Sequence, residues 1–130
     1  MRNLRIALLL ALCTVLAFAP PALAQCNIHR GTRVVLYSQT DDPDVLVWDS
    51  RFRLRDYHAA SFDEAQQLLP HAWLVAPGTR ATVETCVSDF VLPRLINAPD
   101  NAVGIVINTG PRRNQRGWVL GSDIRPRSPH

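Results

Sequence analysis

The chain has 130 residues, 47% of them hydrophobic, which suits one domain with a single core. Its 14 basic residues, all of them arginine, stand against 11 acidic ones. Two of the arginines, Arg2 and Arg5, lie in an N-terminal leader. The rest of the chain is therefore nearly neutral and lacks the basic excess expected of a nucleic-acid-binding protein.

The first 24 residues have the three parts of a secretory signal peptide. Arg2 and Arg5 form a basic start, an apolar run occupies 6–19, and the segment closes in a small-x-small ending at Ala24. We therefore expect cleavage after Ala24, a mature chain over 25–130, and a periplasmic or secreted location. The run is too short to cross a bilayer comfortably and no second one follows, which predicts a mature protein without a membrane span. A retained N-terminal anchor is the alternative.

The cysteine count changes with the leader. Cys13 is removed with it, which leaves Cys26 and Cys86 in an oxidising compartment, where two thiols usually pair. Redox-active cysteines favour close spacing such as C-x-x-C, whereas these two are far apart in the chain. The sequence therefore predicts a structural disulfide, with a redox pair as the alternative.

The first half of the mature chain is predicted to consist of strands joined by turns. Apolar β-formers occupy 34–37 and 45–48, on either side of an acidic turn at 41–44. The segment 51–55 then alternates Arg-Phe-Arg-Leu-Arg, which predicts a strand with three guanidinium groups on one face. These arginines have two interpretations, a solvated outer face of the sheet or a stripe that binds an anionic ligand.

One short helix is predicted to interrupt the strands. Ser61 and Glu64 have the spacing of a capping box, with Ser61 as the N-cap. Helix-forming residues follow, and Pro70 ends the element because proline cannot continue a helix.

Beyond the helix the pattern predicts strands at 72–75, 79–86, 102–109 and 118–120. The segment 102–109 is apolar on both faces, which is typical of a central strand. In 79–86 strict alternation places Ala81 and Val83 on one face and Cys86 on the other, so we expect the disulfide on the outside or at the end of that strand. Ile124 is expected to return to the core before a tail rich in proline and arginine.

Several short strands with regular turn signals predict an all-β fold, a small barrel or sandwich. We expect one short helix, one disulfide, and a single domain over 25–130.

Two segments resemble the SH3-like (Src homology 3) domain of exported bacterial proteins. Residues 77–83, Pro-Gly-Thr-Arg-Ala-Thr-Val, are similar to the turn and strand of the family, and residues 117–124, Gly-Trp-Val-Leu-Gly-Ser-Asp-Ile, are similar to its ending. The resemblance is strongest over 72–125 and implies a small SH3-like barrel. That ending usually carries a tyrosine where this chain has Asp123, and Tyr37 alone stands near the first strand, so a groove for proline-rich peptides is not expected. Exported bacterial members are associated with cell-wall or protein partners, which is what the resemblance implies here.

Groups that could catalyse a reaction are sparse. His29, His58 and His71 lie in separate segments without the spacing of metal ligands. No serine has a G-x-S-x-G context, and the acidic turn lacks the glycine and glutamate of an EF-hand. With both cysteines oxidised, no thiol nucleophile remains. We therefore expect neither an enzyme nor a metal or cofactor.

The best candidate for an interaction surface is the polar connection 110–117. Its arginines Arg112, Arg113 and Arg116 could bind carboxylates or phosphates of an acidic partner. The alternative is a solvated turn. Trp118 follows in the next strand, either as a ligand platform or as a core or half-buried residue.

These features predict an exported, non-catalytic binding module for cell-wall or envelope material or for an envelope protein. A periplasmic inhibitor or immunity-type protein that blocks an enzyme is the second hypothesis, because a rigid loop avoids an ordering cost on binding. A small hydrolase is the third. No nucleic-acid partner is expected.

Overall fold

The fold is seen in a computed structural model that describes residues 26–94 and 98–127. The predicted signal peptide, residues 1–24, lies outside the described residues. None of the described helices has both the length and the apolar composition that a membrane crossing requires. The elements in chain order are β1 (Arg33–Leu36), β2 (Val45–Trp48), α1 (Arg51–Ala59), α2 (Phe62–Leu68), a 3₁₀ turn (Leu69–His71), β3 (Ala72–Val75), β4 (Arg80–Val91), β5 (Asp100–Ile107), β6 (Arg116–Leu120), a second 3₁₀ turn (Gly121–Asp123) and β7 (Ile124–Pro126).

The seven strands form one antiparallel sheet in the order β3-β2-β6-β5-β4-β1-β7. The sheet is curled into a half-barrel, because Val75 near one end of it and Ile124 at the other belong to the same buried cluster. Strand β6 meets β2 through one register pair, Trp48 with Trp118. Gly117 allows this close approach, since a Cβ there would overlap the Val47 side chain and lie 2.9 Å from Trp73.

The inside of the curl is the main hydrophobic core. On β5, every second residue faces it, and Val103, Ile105 and Ile107 are fully buried there. Ala81 and Val83 of β4 lie opposite two of them in the sheet. The prediction of a central strand apolar on both faces is confirmed, because β5 lies between β4 and β6 and its other face belongs to a second cluster.

The second cluster lies on the outside of the curl and is covered by α1. It contains Trp48, Val91, Ala102 and Leu120 from the strands and Leu54 from the helix, and all five are buried. Helix α1 is therefore held to the sheet by burial of Leu54, which is 1% exposed.

The predicted strand at 51–55 is wrong, because these residues begin α1. Ser50 is the N-cap, and its hydroxyl accepts a hydrogen bond from the Phe52 N–H at 3.2 Å. Arg53 pairs with Asp49 at 2.6 Å, four residues earlier in the chain. Five alternating residues do not distinguish the period of a strand from that of a helix. Burial of Leu54 against the outer face of the sheet favours the helix.

The prediction of one short helix is therefore also wrong, since the described residues form two. The predicted helix is α2, and Ser61 is its N-cap residue, although the Ser61 side chain makes no capping hydrogen bond. The sheet is more extensive than predicted at two points: β4 continues to Val91, and Ile124 begins a seventh strand.

The predicted disulfide between Cys26 and Cys86 is confirmed, with Cα atoms 6.0 Å apart. Its predicted face is wrong. A β-bulge between Val83 and Thr85 shifts the alternation of β4 by one residue, so Cys86 follows Val83 onto the inner side and packs against the main core.

Candidate functional site

The β5–β6 connection, predicted to be an interaction surface, is a tightly bonded turn. Residues Gly110 and Asn114 have left-handed backbone angles, φ 85° and 72°. The Asn114 N–H donates to the Ile107 carbonyl at 2.7 Å, and the Ile107 N–H donates to the Gln115 carbonyl at 2.9 Å. The backbone of this turn is therefore held in place, and its arginine side chains project from a fixed base.

The three arginines of this turn do not converge on one point. The Arg112 guanidinium lies 5.8 Å from the centre of the Trp73 ring, which packs against the inner core. The Arg116 Nε donates to Glu84 Oε1 at 3.0 Å, across β5. Arg113 is exposed. The three guanidinium groups therefore do not form one shared binding site for a carboxylate or phosphate.

Trp118 belongs to a different surface. It faces outwards on β6, is half-buried, and packs against the outer cluster. The guanidinium of Arg51 lies 5.9 Å from its ring centre.

We call this surface the arginine–aromatic face; it consists of Arg51, Phe52, Arg55, Phe90 and Trp118. The Phe52 and Phe90 rings meet edge to face with centroids 5.6 Å apart. The Arg51 guanidinium lies 5.0 Å from Phe52 and 5.6 Å from Phe90, and that of Arg55 lies 5.3 Å from both rings. Phe52 remains 48% exposed, so an apolar ring and two cations share one surface.

Local structure explains how these residues come together. Arg51 and Arg55 are four residues apart on α1 and thus share a side of the helix. Phe90 comes from the end of β4, where the register shifts between Val87 and Val91. At this irregularity Asp89 adopts φ 52°, and its N–H donates to Asn101 Oδ1 at 3.1 Å. Bulges of this kind change the direction of neighbouring side chains, and here Phe90 reaches the helix.

A second site, which we call the Asp123 cleft, lies at the other end of α1. It has a volume of about 280 Å³ and is lined by the loop after β1, by Tyr57 and His58 of α1, and by Ser122 and Asp123 of the second 3₁₀ turn. Asp42 in the loop is held by Thr40, whose hydroxyl donates to Asp42 Oδ2 at 2.6 Å.

The cleft brings carboxylates close together. The Ser122 hydroxyl donates to Asp100 Oδ2 at 2.6 Å, which fixes Asp100 beside the 3₁₀ turn. Burial raises the pKa of Asp123 to about 6, and the negative charges of Asp100 and Asp42 act in the same direction. Burial also lowers the pKa of His58, while Asp100 opposes that change. Near neutral pH the cleft therefore holds an excess of negative charge beside a neutral imidazole.

Metal binding has no support in the described residues, where no group of three or more histidine, cysteine or acidic side chains could hold an ion.

Neither site is evident from the sequence pattern. The alternation of 51–55 indicates a cationic stripe but predicts it on a strand. Nothing in the sequence around Phe90 indicates that this ring meets those arginines. In the sequence His58 is an isolated histidine, and Asp123 stands where the SH3-like ending that this segment resembles usually carries a tyrosine. They are 65 positions apart, so no local pattern could join them.

No family model matches the chain, and no curated protein and no solved structure is significantly similar to it. A function for this chain therefore has to be inferred from the geometry of its described residues.

Proposed function

We propose that the chain is an exported, non-catalytic binding module with an SH3-like barrel, which docks an acidic protein of the bacterial envelope through the arginine–aromatic face. The leader predicted over residues 1–24 supports export. The disulfide supports it too, because disulfides persist in oxidising compartments. The SH3-like assignment is supported by the curled antiparallel sheet and by the tight turn that separates β6 from Ile124.

The observation that carries the proposal is an aromatic pair, exposed Phe52 and half-buried Phe90, that lies beneath two guanidinium groups. Phe52 is 48% exposed although it contacts Phe90, and Arg51 has no carboxylate partner in the described part of the chain. Exposed rings are common on protein surfaces, but this one has two guanidinium groups within 5.3 Å of its centre. Arginine and aromatic residues are enriched where protein partners meet, and they dominate the binding energy there.

The fold suits this role because the face is built on rigid elements. Arg51, Phe52 and Arg55 lie on a helix anchored by Leu54, and Trp118 lies on a paired strand. Binding then orders few side chains, which limits the entropic cost of association.

Site-specific photocrosslinking tests the proposal. The crosslinking amino acid p-benzoylphenylalanine is introduced at Phe52 and, as a matched control, at Phe62, which is 77% exposed on α2. Cells of the source bacterium are irradiated, and adducts are identified by mass spectrometry. We expect one discrete protein adduct from position 52 that is absent from position 62. The adduct should disappear in Arg51→Ala/Arg55→Ala and weaken at high salt, which screens exposed charges.

Sedimentation with purified cell-wall sacculi tests the alternative partner. Co-sedimentation that depends on Arg51 and Arg55, without a protein adduct from position 52, would show that the partner is the cell wall and not a protein. Identical adducts from both positions would show that the face is not a docking surface. The inhibitor hypothesis is supported only if the crosslinked partner is an enzyme whose activity falls when the purified chain is added.

A further inference from the structure

The Asp123 cleft is a second candidate site whose charge is opposite to that of the arginine–aromatic face. It shares no residue with that face, and its use does not depend on docking of an acidic protein there. Its volume of about 280 Å³ is just below the usual range for small-molecule pockets, about 300–1,000 Å³.

In the described part of the chain, none of the ion pairs involves Asp42, Asp100 or Asp123. Arg125, two residues further along the chain, has its guanidinium 3.6 Å from the centre of the Tyr37 ring. Carboxylates placed close together in a partly buried site repel one another, and an incoming cation relieves that repulsion. The charged and titratable groups that act on Asp123 or line the cleft with it come from every neighbouring element: Tyr37, Asp42, Asp44, Tyr57, His58 and Asp100.

An independent observation concerns Trp48, which also lines the cleft. The side chain is fully buried, and its indole N–H has no hydrogen-bond partner in the described part of the chain. Its ring lies 4.8 Å from that of Tyr57, so the cleft has an aromatic wall beside its carboxylates. Buried donors are nearly always paired, and because Trp48 lines the cleft, a ligand there is one source of the missing acceptor.

We infer that the Asp123 cleft binds the ammonium group of an amino-acid or peptide ligand, with the carboxylates facing the cation and the indole N–H available to an amide carbonyl. A cation near aromatic rings gains further attraction from their faces. Because the described residues offer no cluster of metal ligands, an organic cation fits the cleft better than a metal ion does.

Nuclear magnetic resonance titration of the mature chain tests this inference with three probes. L-Alaninamide presents the ammonium of an amino terminus, and Nα-acetyl-L-lysine amide presents that of a lysine side chain. Propionamide has the carbonyl without the charge. We expect saturable shifts of the Trp48 indole signal with one or both amines, with a Kd on the order of 1 mM, and none with propionamide. The Trp73 indole signal, on the inner side of the sheet, should not move; Trp73→Phe and Trp118→Phe assign the signals.

The variant Asp123→Asn removes the central charge and keeps the shape of the side chain. Its affinity for the amine that binds should fall about tenfold or more, and the loss of affinity between about pH 7.5 and pH 5 should be smaller than in the parent, with protonation of His58 contributing the remainder. Asp63→Asn, an exposed carboxyl on α2 outside the cleft, is the matched control and should bind like the parent.

Three results would overturn the inference. They are the absence of saturable shifts with both amines, equal shifts with propionamide, and an Asp123→Asn variant that binds with the affinity and pH dependence of the parent. None of them affects photocrosslinking at Phe52, so this inference and the proposed docking fail separately.

Discussion

Helix α1 serves two regions of opposite charge. Its first half carries Arg51, Phe52 and Arg55 of the arginine–aromatic face, and its second half carries Tyr57 and His58 of the Asp123 cleft. On the face, the cations lie over aromatic rings and remain open to solvent. In the cleft, Asp123 is partly buried near other carboxylates, and its pKa is raised to about 6. Exposed charges are screened by salt and buried ones respond to protonation, so the face should be sensitive to ionic strength and the cleft to pH.

The largest expected effect comes from a change that touches neither region. The Cys26–Cys86 bridge joins cysteines 60 positions apart, and its loss should lower the free energy of unfolding by about 4 kcal/mol in the chain-entropy model. We expect Cys86→Ser to show this loss in urea denaturation. It should bind the amine probes like the parent wherever it remains folded, because the bridge lies on the inner side of the sheet.

A selective loss of binding by a folded Cys86→Ser variant would show that the bridge also supports binding of the amine probes, contrary to this expectation. The corresponding Cys26→Ser variant is its natural control, since both remove the same bridge and should be equally destabilised.

The next largest effect is expected from the Asp123 cleft and concerns how the free energy of unfolding depends on pH. The pKa of Asp123 rises from 3.8 to about 6 on folding, so the folded state holds this proton more tightly than the unfolded chain does. Its contribution to stability is complete below pH 3.8 and is lost as the pH rises through about 6. Asp123→Asn should therefore be more stable than the parent above about pH 6, by at most about 3 kcal/mol, with the difference vanishing near pH 4.

Urea denaturation of both proteins across this pH range measures the difference. His58 acts in the opposite sense, because burial lowers its pKa and its contribution is lost as the pH falls. The difference between variant and parent removes this common contribution. A difference that is constant with pH, or one that Asp63→Asn reproduces, would show that Asp123 is not buried among like charges.

The smallest effect on the free energy of unfolding is expected at the arginine–aromatic face. The Arg51 guanidinium lies within 5.9 Å of the centres of three rings, Phe52, Phe90 and Trp118. Cation–π contacts at exposed positions contribute about 0.5–1 kcal/mol, so Arg51→Ala should lower the free energy of unfolding by about that amount. Arg113→Ala, in the exposed β5–β6 turn, is the control and should have no measurable effect. Equal values for the two variants would mean that Arg51 is merely solvated.

Much of the sheet could be predicted because its signals are local. The apolar runs that became β1, β2 and β3 and the two-sided apolar pattern of β5 need only the period of a strand. The disulfide followed from counting the cysteines that remain once the predicted leader is set aside. Helix α1 could not be predicted in this way, because Arg-Phe-Arg-Leu-Arg fits either period and the choice rests on Leu54 packing against the outer cluster.

The binding sites depended still more on tertiary structure. The arginine turn was found because its residues are nearly consecutive, yet Arg112 and Arg116 diverge to Trp73 and Glu84. The face required a bulge near Asp89 that brings Phe90 to α1. A bulge changes the side-chain alternation by one residue and leaves no mark in hydrophobic periodicity, which is also why the face of Cys86 was predicted wrongly.

The sequence by itself determined the leader-like N-terminus, the pairing of Cys26 with Cys86 and most of the strands, because these depend on composition and short-range periodicity. Tertiary structure alone decided that α1 is a helix, that aromatic rings meet two arginines on its first half, and that Asp42, His58, Asp100 and Asp123 gather at its second half. Such sites are formed by residues far apart in the chain. The curl of the sheet brings them together, and no local sequence pattern shows which distant residues will meet.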